Sequence, residues 1–217
     1  MKGDIILVEK HHRRAAGAIV PAIIDKVKTK PARYIISVAG ESGSGKSETA
    51  QAIADELAKL GFRSVILGQD DYFVLPPRSN DARRRNDPEW LGPHVEVNLD
   101  LMDGNLRDAV GGAQELIKPL VDYDNDCVGE ERIGLEGVAV VIAEGTYTSL
   151  LRHADTRVFI ARSRRDTLEH RLKRNRGGEA RDPFVEQVLT REHMIIAGHR
   201  HLADFVITKD YDVRETN

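Results

Sequence analysis

The chain has 217 residues, 41% of them hydrophobic and 31% charged, which allows one domain with a sizeable core and at most a small extension. A formal net charge of −3 removes the general electrostatic case for binding nucleic acid, and the single cysteine, Cys127, can form neither an internal disulfide nor a thiolate metal cluster. The apolar run Ile5–Val8 stops at Glu9 and Lys10, too short for a signal-peptide core or a membrane span, so the expectation is a cytoplasmic protein with no membrane partner.

In chain order, Ile19, Val20, Ile23, Ile24 and Val27 predict an amphipathic helix between about Arg14 and Lys28, begun or kinked by Pro21. Tyr34–Ala39 reads as a buried strand. Ala50, Ile53, Ala54, Leu57 and Ala58 keep a 3.6-residue period after Lys46, and Gly61 supplies the stop. A second strand, Ser64–Leu67, leads to Val74–Pro93, whose Gly, Pro and charged residues read as a long surface excursion. Its Arg78, Arg83, Arg84 and Arg85 read chiefly as solubilising charges, and Trp90 as either a stacking surface for a ring or a pin to the core. Asn98 is placed to cap a helix carrying Leu99, Met102, Leu106 and Val110 on one face. Strands at Val138–Ala143 and Arg157–Ala161 follow. Asp166 is placed to cap a helix with Leu168 and Leu172 inward, and Asp182-Pro183 to start another running to about His201. Phe205–Thr208 is the last strand. The alternation implies an α/β fold, a parallel sheet with helices on both faces. Residues 1–33 form an N-terminal helical extension to a main domain over residues 34–217.

Gly40-Glu41-Ser42-Gly43-Ser44-Gly45-Lys46-Ser47 matches G-x-x-x-x-G-K-[ST] between a strand and a helix. Glycines let backbone N–H groups turn inward as an anion nest, and the helix starting at Lys46 points its positive end at the same place. Gly40, Ser42, Gly43, Ser44, Gly45, Lys46 and Ser47 are therefore the expected nucleotide-binding residues, with Lys46 at the β and γ phosphates and the Ser47 hydroxyl on Mg²⁺. The cofactors expected are ATP and Mg²⁺.

Ligands of open α/β sheets sit beyond the carboxyl ends of the strands. Asp70 and Asp71 follow the second strand, and Glu144 ends the third core strand. Asp70 is the candidate base and, with Ser47 and Glu144, a candidate metal-side residue. Arg162, Arg164, Arg165, Arg171, Arg174, Arg176 and Arg181 crowd into twenty residues with Gly177-Gly178 among them. Arg171, Arg174 and Arg181 read as functional, on a segment able to close over the nucleotide, whereas Arg162, Arg164 and Arg165 read as surface. His193, His199 and His201 do not make a metal cluster, since residues two apart on a helix face different ways.

In this order the motifs resemble the uridine kinase and phosphoribulokinase family of P-loop kinases. Gln69-Asp70-Asp71-Tyr72-Phe73 resembles the family segment whose aspartate is the base, Val140–Gly145 its Glu-Gly strand end, Asp166–Arg174 with Arg181 its lid, and Ala203–Ile207 its closing strand. Pro119 through Tyr123-Asp124 is similar to its substrate-side segment. The resemblance spans about residues 34–208. It implies a P-loop NTPase three-layer fold with an arginine-bearing lid and ATP-dependent transfer of a phosphoryl group to a small-molecule hydroxyl. Asp70, Lys46, Arg174 and Arg181 would serve the chemistry, Arg171 and Arg174 the nucleotide, and Asp70, Tyr72, Tyr123 and Arg181 the acceptor. A nucleoside is the acceptor implied first and a sugar or other alcohol next, because the family histidine after Tyr123-Asp124 is missing and Arg83–Trp90 stands where its Asp- and Phe-rich loop belongs. A nucleotide-dependent switch without an acceptor and a sulfate-nucleotide kinase are the rival readings. Homo-oligomerisation is left open.

Overall fold

The structure is a computed structural model describing residues 6–163, 165–167 and 182–216. Its centre is a six-stranded sheet in the order β2-β5-β1-β6-β7-β8. β1 (Tyr34–Gly40), β2 (Arg63–Gly68), β5 (Val138–Gly145), β6 (Thr156–Ile160) and β7 (Phe205–Ile207) run parallel, and β8 (Val213–Glu215) closes the edge antiparallel to β7. The five apolar runs of the sequence are these five parallel strands. Fully buried strands carry no polar alternation, and β1 is buried at every position.

The pleat divides the core in two. Ile36, Val38, Val140 and Ile142 face α1 (Lys10–Thr29) and α2 (Lys46–Lys59). Ile35, Val141 and Ala143 face the other side, toward Met102 and Leu106 of α4 (Leu99–Val110). Asn98 caps α4 by accepting from the Leu101 N–H at 3.0 Å, and Asp182 caps α5 (Pro183–Ile196) by accepting from the Phe184 N–H at 2.9 Å. A 3-10 turn, Ala197–Leu202, carries α5 on to β7.

Several expectations need revision. Pro21 lies inside α1, so of the two expected alternatives it does not begin the helix; its missing N–H would have served the carbonyl of the exposed Gly17. Ile19, Val20, Ile23 and Val27 of α1 pack into the same core as β1 and α2. The excursion after Val74 holds a helix, α3 (Pro77–Asn86), with proline at its start and i,i+4 ion pairs Arg83–Asp87 and Arg85–Asp81 along it. β3 (Glu115–Asp122) and β4 (Cys127–Gly134) form a separate antiparallel hairpin that the apolar runs did not announce. The expected Asp166 helix, with Leu168 and Leu172, lies outside the described residues, as do Arg164, Arg171, Arg174, Arg176 and Arg181. Among the described residues no helix is long and apolar enough to cross a membrane.

Candidate active site

Three strand ends meet at one edge of the sheet. The register sets Glu144 beside Val38 of β1 and Gly68 of β2, so the loop after β1, the turn after β2 and the last carboxylate of β5 share one space. Gly43 and Gly45 take φ of 74° and 95°, the left-handed region that turns successive N–H groups inward. Gly45 is also held from behind. A Cβ there would stand 2.7 Å from the Tyr211 hydroxyl and 3.0 Å from His12 Nε2. The Tyr211 hydroxyl donates to the Ser44 carbonyl at 3.3 Å and accepts from Arg162 Nη1 at 2.7 Å. His12 Nδ1 accepts the Glu9 N–H, leaving Nε2 3.2 Å from the same hydroxyl. Arg162 thus braces the loop from below instead of dangling in solvent.

Lys46 Nζ rests on the Glu41 carbonyl at 3.0 Å, and the Ser47 hydroxyl donates to Glu144 Oε1 at 3.1 Å. Burial, with the Asp70 charge adding to it, raises the Glu144 carboxyl to about 7, against the pull of Lys46 and Ser47. A hydroxyl and a carboxyl beside a phosphate nest suit a hard divalent cation such as Mg²⁺, which takes oxygen ligands and would favour the charged carboxylate. Gly145 is required by its neighbour: a Cβ would collide with the Gln69 side chain, whose Oε1 accepts the Tyr147 N–H at 2.7 Å.

Asp70 and Asp71 divide. Asp71 is buried, pairing with Lys118 Nζ at 2.7 Å and accepting the Val121 N–H at 3.0 Å, which ties the β3–β4 hairpin to the end of β2. Asp70 is exposed and lines a cavity of about 420 Å³ beside the phosphate loop. Ser42 and Tyr123 line it too, along with Phe73, Arg84 and Glu192. Tyr72, expected on the acceptor side, does not line it: the ring is fully buried in the core and its hydroxyl donates to Asn105 Oδ1 at 2.9 Å. Gln69–Tyr72 winds as a 3-10 turn directly after β2, which buries Gln69, Asp71 and Tyr72 and leaves Asp70 exposed.

The sequence reading also missed residues of α5 and α3. Glu192 accepts the Ser42 N–H at 2.9 Å, burial raising its carboxyl, and His193 Nδ1 lies 2.6 Å from Glu41 Oε1. His193 and the buried Glu192 brace the loop; nothing in their local sequence marks them, since partner and helix are 150 residues apart. His199 meets Ser149 Oγ at 2.9 Å. On α3, Asn80 and Arg84 share an i,i+4 face, the one local signal that this polar helix has an inner side.

Comparison with known proteins places this geometry. The sequence profile of the Phosphoribulokinase / Uridine kinase family matches residues 35–197. A bifunctional alpha-galactosidase/sucrose kinase of Mediterraneibacter gnavus is 28% identical over 194 residues, covering 84% of this chain and 21% of its own length. A uridine kinase of Saccharomyces cerevisiae is 25% identical over 182 residues, covering 77% of this chain and 36% of its own. The chain therefore spans about a fifth and about a third of these two relatives. In fold, it is similar to the structure of a possible uridine kinase from Bacillus stearothermophilus, with a TM-score of 0.62 at 19% identity, covering 89% of this chain and 97% of that one.

Proposed function

The chain belongs to the phosphoribulokinase / uridine kinase family, and from that premise we propose that it is an ATP-dependent kinase transferring the γ-phosphoryl to a hydroxyl of a small molecule. The observation that carries the reading is the meeting of Lys46, the Ser47–Glu144 contact and Asp70 around one edge of the sheet, with a cavity alongside. A nucleotide switch needs no second cavity next to its phosphate loop; a kinase needs one for its acceptor.

In this reading the loop amides and Lys46 hold the phosphates, and Ser47 with Glu144 would hold Mg²⁺, which would supply charge neutralisation on the phosphate oxygens. Asp70 accepts the proton of the acceptor hydroxyl as its oxygen bonds to the γ-phosphorus and the bond to the bridging oxygen of ADP breaks. Tyr123 borders the acceptor. Arg171, Arg174 and Arg181 belong to the same proposal as the lid that covers the transferring group. Nucleoside and sugar acceptors both have precedent in the names of the relatives, and a cytoplasmic setting, where ATP is available, goes with the reading.

The test is ATP turnover with and without candidate acceptors. Turnover should rise with an acceptor, and Asp70→Asn should lower that rise by about 10²–10⁴-fold while ATP affinity stays within about twofold. Turnover indifferent to every acceptor would leave a hydrolase or switch; unaltered transfer in Asp70→Asn would remove the base from the scheme.

A further inference from the structure

The inner face of α3 is built around a buried carboxylate that the phosphate chemistry does not use. Glu96 is 1% exposed. Its Oε2 accepts from Asn80 Nδ2 at 3.1 Å and from Arg84 Nε at 2.6 Å, and its Oε1 accepts the Gly92 N–H at 3.3 Å. Asn80 is itself fixed, its Oδ1 taking the Trp90 indole N–H at 2.8 Å. Trp90 is thus a pin that locks the α3–α4 connection, and Glu96 is a carboxylate with both oxygens engaged.

Arg84 is held differently. It is pinned through Nε alone, with its guanidinium over the Phe73 ring at 5.6 Å. Its two terminal nitrogens have no acceptor among the described residues, and the side chain lines the cavity that also contains Asp70. A guanidinium carries five N–H donors in a planar fork, and one is used here. The remaining donors lie in the cavity wall, open to water and free to meet the oxygens of a ligand. The molecule spends a buried ion pair and an indole hydrogen bond to aim this fork, which is the arrangement expected of a recognition group and not of a solubilising charge.

The cavity's remaining chemistry narrows the ligand. Its described lining holds four carboxylates, Asp70, Asp81, Asp182 and Glu192, against the three guanidiniums of Arg78, Arg84 and Arg85. Arg85 is consumed by Asp81 and Asp182 at 2.8 and 2.6 Å, and Arg78 Nη2 donates to the Asp124 carbonyl at 3.2 Å. Against this described lining an anionic acceptor would meet Asp70 opposite Arg84, so the described wall offers it no net positive charge. A nucleobase would find no open aromatic sandwich, because Arg84 already covers one face of Phe73 and Tyr123 stands 37% exposed at the rim. Hydroxyl groups fit both halves of the wall, since each accepts from a guanidinium and donates to a carboxylate.

We propose that Arg84, oriented by Glu96, binds adjacent hydroxyls of the acceptor, and that the acceptor is an uncharged, polyhydroxylated, sugar-like molecule with one further hydroxyl at Asp70. This rests on the kinase reading above and names the acceptor class for the same site. Arg84 is the specificity residue and Glu96 its positioning residue.

The experiment measures transfer from labelled ATP to D-glucose, D-fructose, sucrose, uridine and D-glycerate. Wild type should show its highest kcat/KM on a neutral sugar. Arg84→Lys, which keeps the charge and loses the fork, should raise the KM for that sugar about 10–100-fold, the worth of a hydrogen bond to a charged group, with a smaller change in kcat. Glu96→Gln should give the same split to a lesser degree, whereas mere structural damage would lower kcat and KM-dependent terms together with ATP affinity, followed by calorimetry. Preference for uridine or D-glycerate overturns the acceptor class and leaves the kinase standing. An unchanged sugar KM in Arg84→Lys overturns the role of Arg84. Transfer to no compound by a protein that binds ATP overturns both the class and the kinase.

Discussion

Glu144 is where the chemistry of a single residue is most exposed to test. Its carboxyl has an ordinary value near 4.5 and sits at about 7 in the folded protein, first because it is desolvated and then because Asp70 repels its charge. A carboxyl raised on folding holds its proton more tightly in the native state than in the unfolded one. Its stabilising contribution is therefore complete below about pH 4.5 and is lost as pH rises through about 7, by at most about 3 kcal/mol. Glu144→Gln should flatten this part of the nucleotide-free stability profile and leave the variant more stable than wild type above pH 7. Denaturant titrations from pH 4.5 to 8 decide it: parallel profiles for the two proteins would refute the burial argument. The same residue was legible in the sequence because a strand rich in Val, Ile and Ala ended on an acid and a glycine. Its neighbour Asp70 was legible for a similar reason. The division of labour between Asp70 and Asp71 was not, since only the position of Lys118 on a distant strand decides which of the two is buried.

Among the elements, the β3–β4 hairpin shows how a tie between layers escapes local pattern. Leu116, Lys118 and Val121 point inward on β3, and a lysine at an inward position hides the apolar alternation by which strands are read. Lys118, 3% exposed, is met by Asp71 at 2.7 Å and by Glu131 of β4 at 2.9 Å, so the hairpin is joined to the end of β2 by charge as much as by packing. Asp71→Asn leaves a buried ammonium facing an amide, with the Pro119 carbonyl and the more exposed Glu131 as its remaining partners. The expected loss is about 3 kcal/mol, seen as a lower denaturant midpoint at unchanged m-value. A midpoint equal to that of wild type would show the pair to be incidental. Helices with strong local punctuation were easier. α2 had a period and a stop in the sequence, α4 a cap and a period, and α5 a cap followed by proline, whereas α3 is polar on nearly every face and offered only Pro77 and its i,i+4 charges. Arg84 was read as solvated for that reason, although its partner Glu96 lies in the connection beyond.

At the scale of the molecule, α1 decides whether residues 34–217 stand alone. Ile19, Val20, Ile23 and Val27 are buried against β1 and α2, and each such side chain contributes about 1.5–3 kcal/mol by leaving water. Their sum, on the order of 6–12 kcal/mol, is comparable to the whole stability of a typical domain, about 5–15 kcal/mol. A chain starting at residue 30 should therefore lose its cooperative unfolding transition; retention of a sharp transition with bound ATP would make α1 a dispensable appendage. The parallel order of the sheet could be read from the alternation of elements, but the strand sequence β2-β5-β1-β6 could not, because it depends on pairings between segments far apart in the chain. The brace beneath Gly45 belongs to that class. Ser44 and Tyr211 lie 167 residues apart, and both β6 and β7 must be in place beside β1 before Tyr211 can reach the loop. On the ribosome, then, the glycine turn emerges early but lacks its rear support until nearly all of the sheet has been synthesised. In the kinase reading, the loop's full grip on a nucleotide waits until residues through Tyr211 have been made, so the nucleotide steadies the assembled sheet and does not guide its assembly.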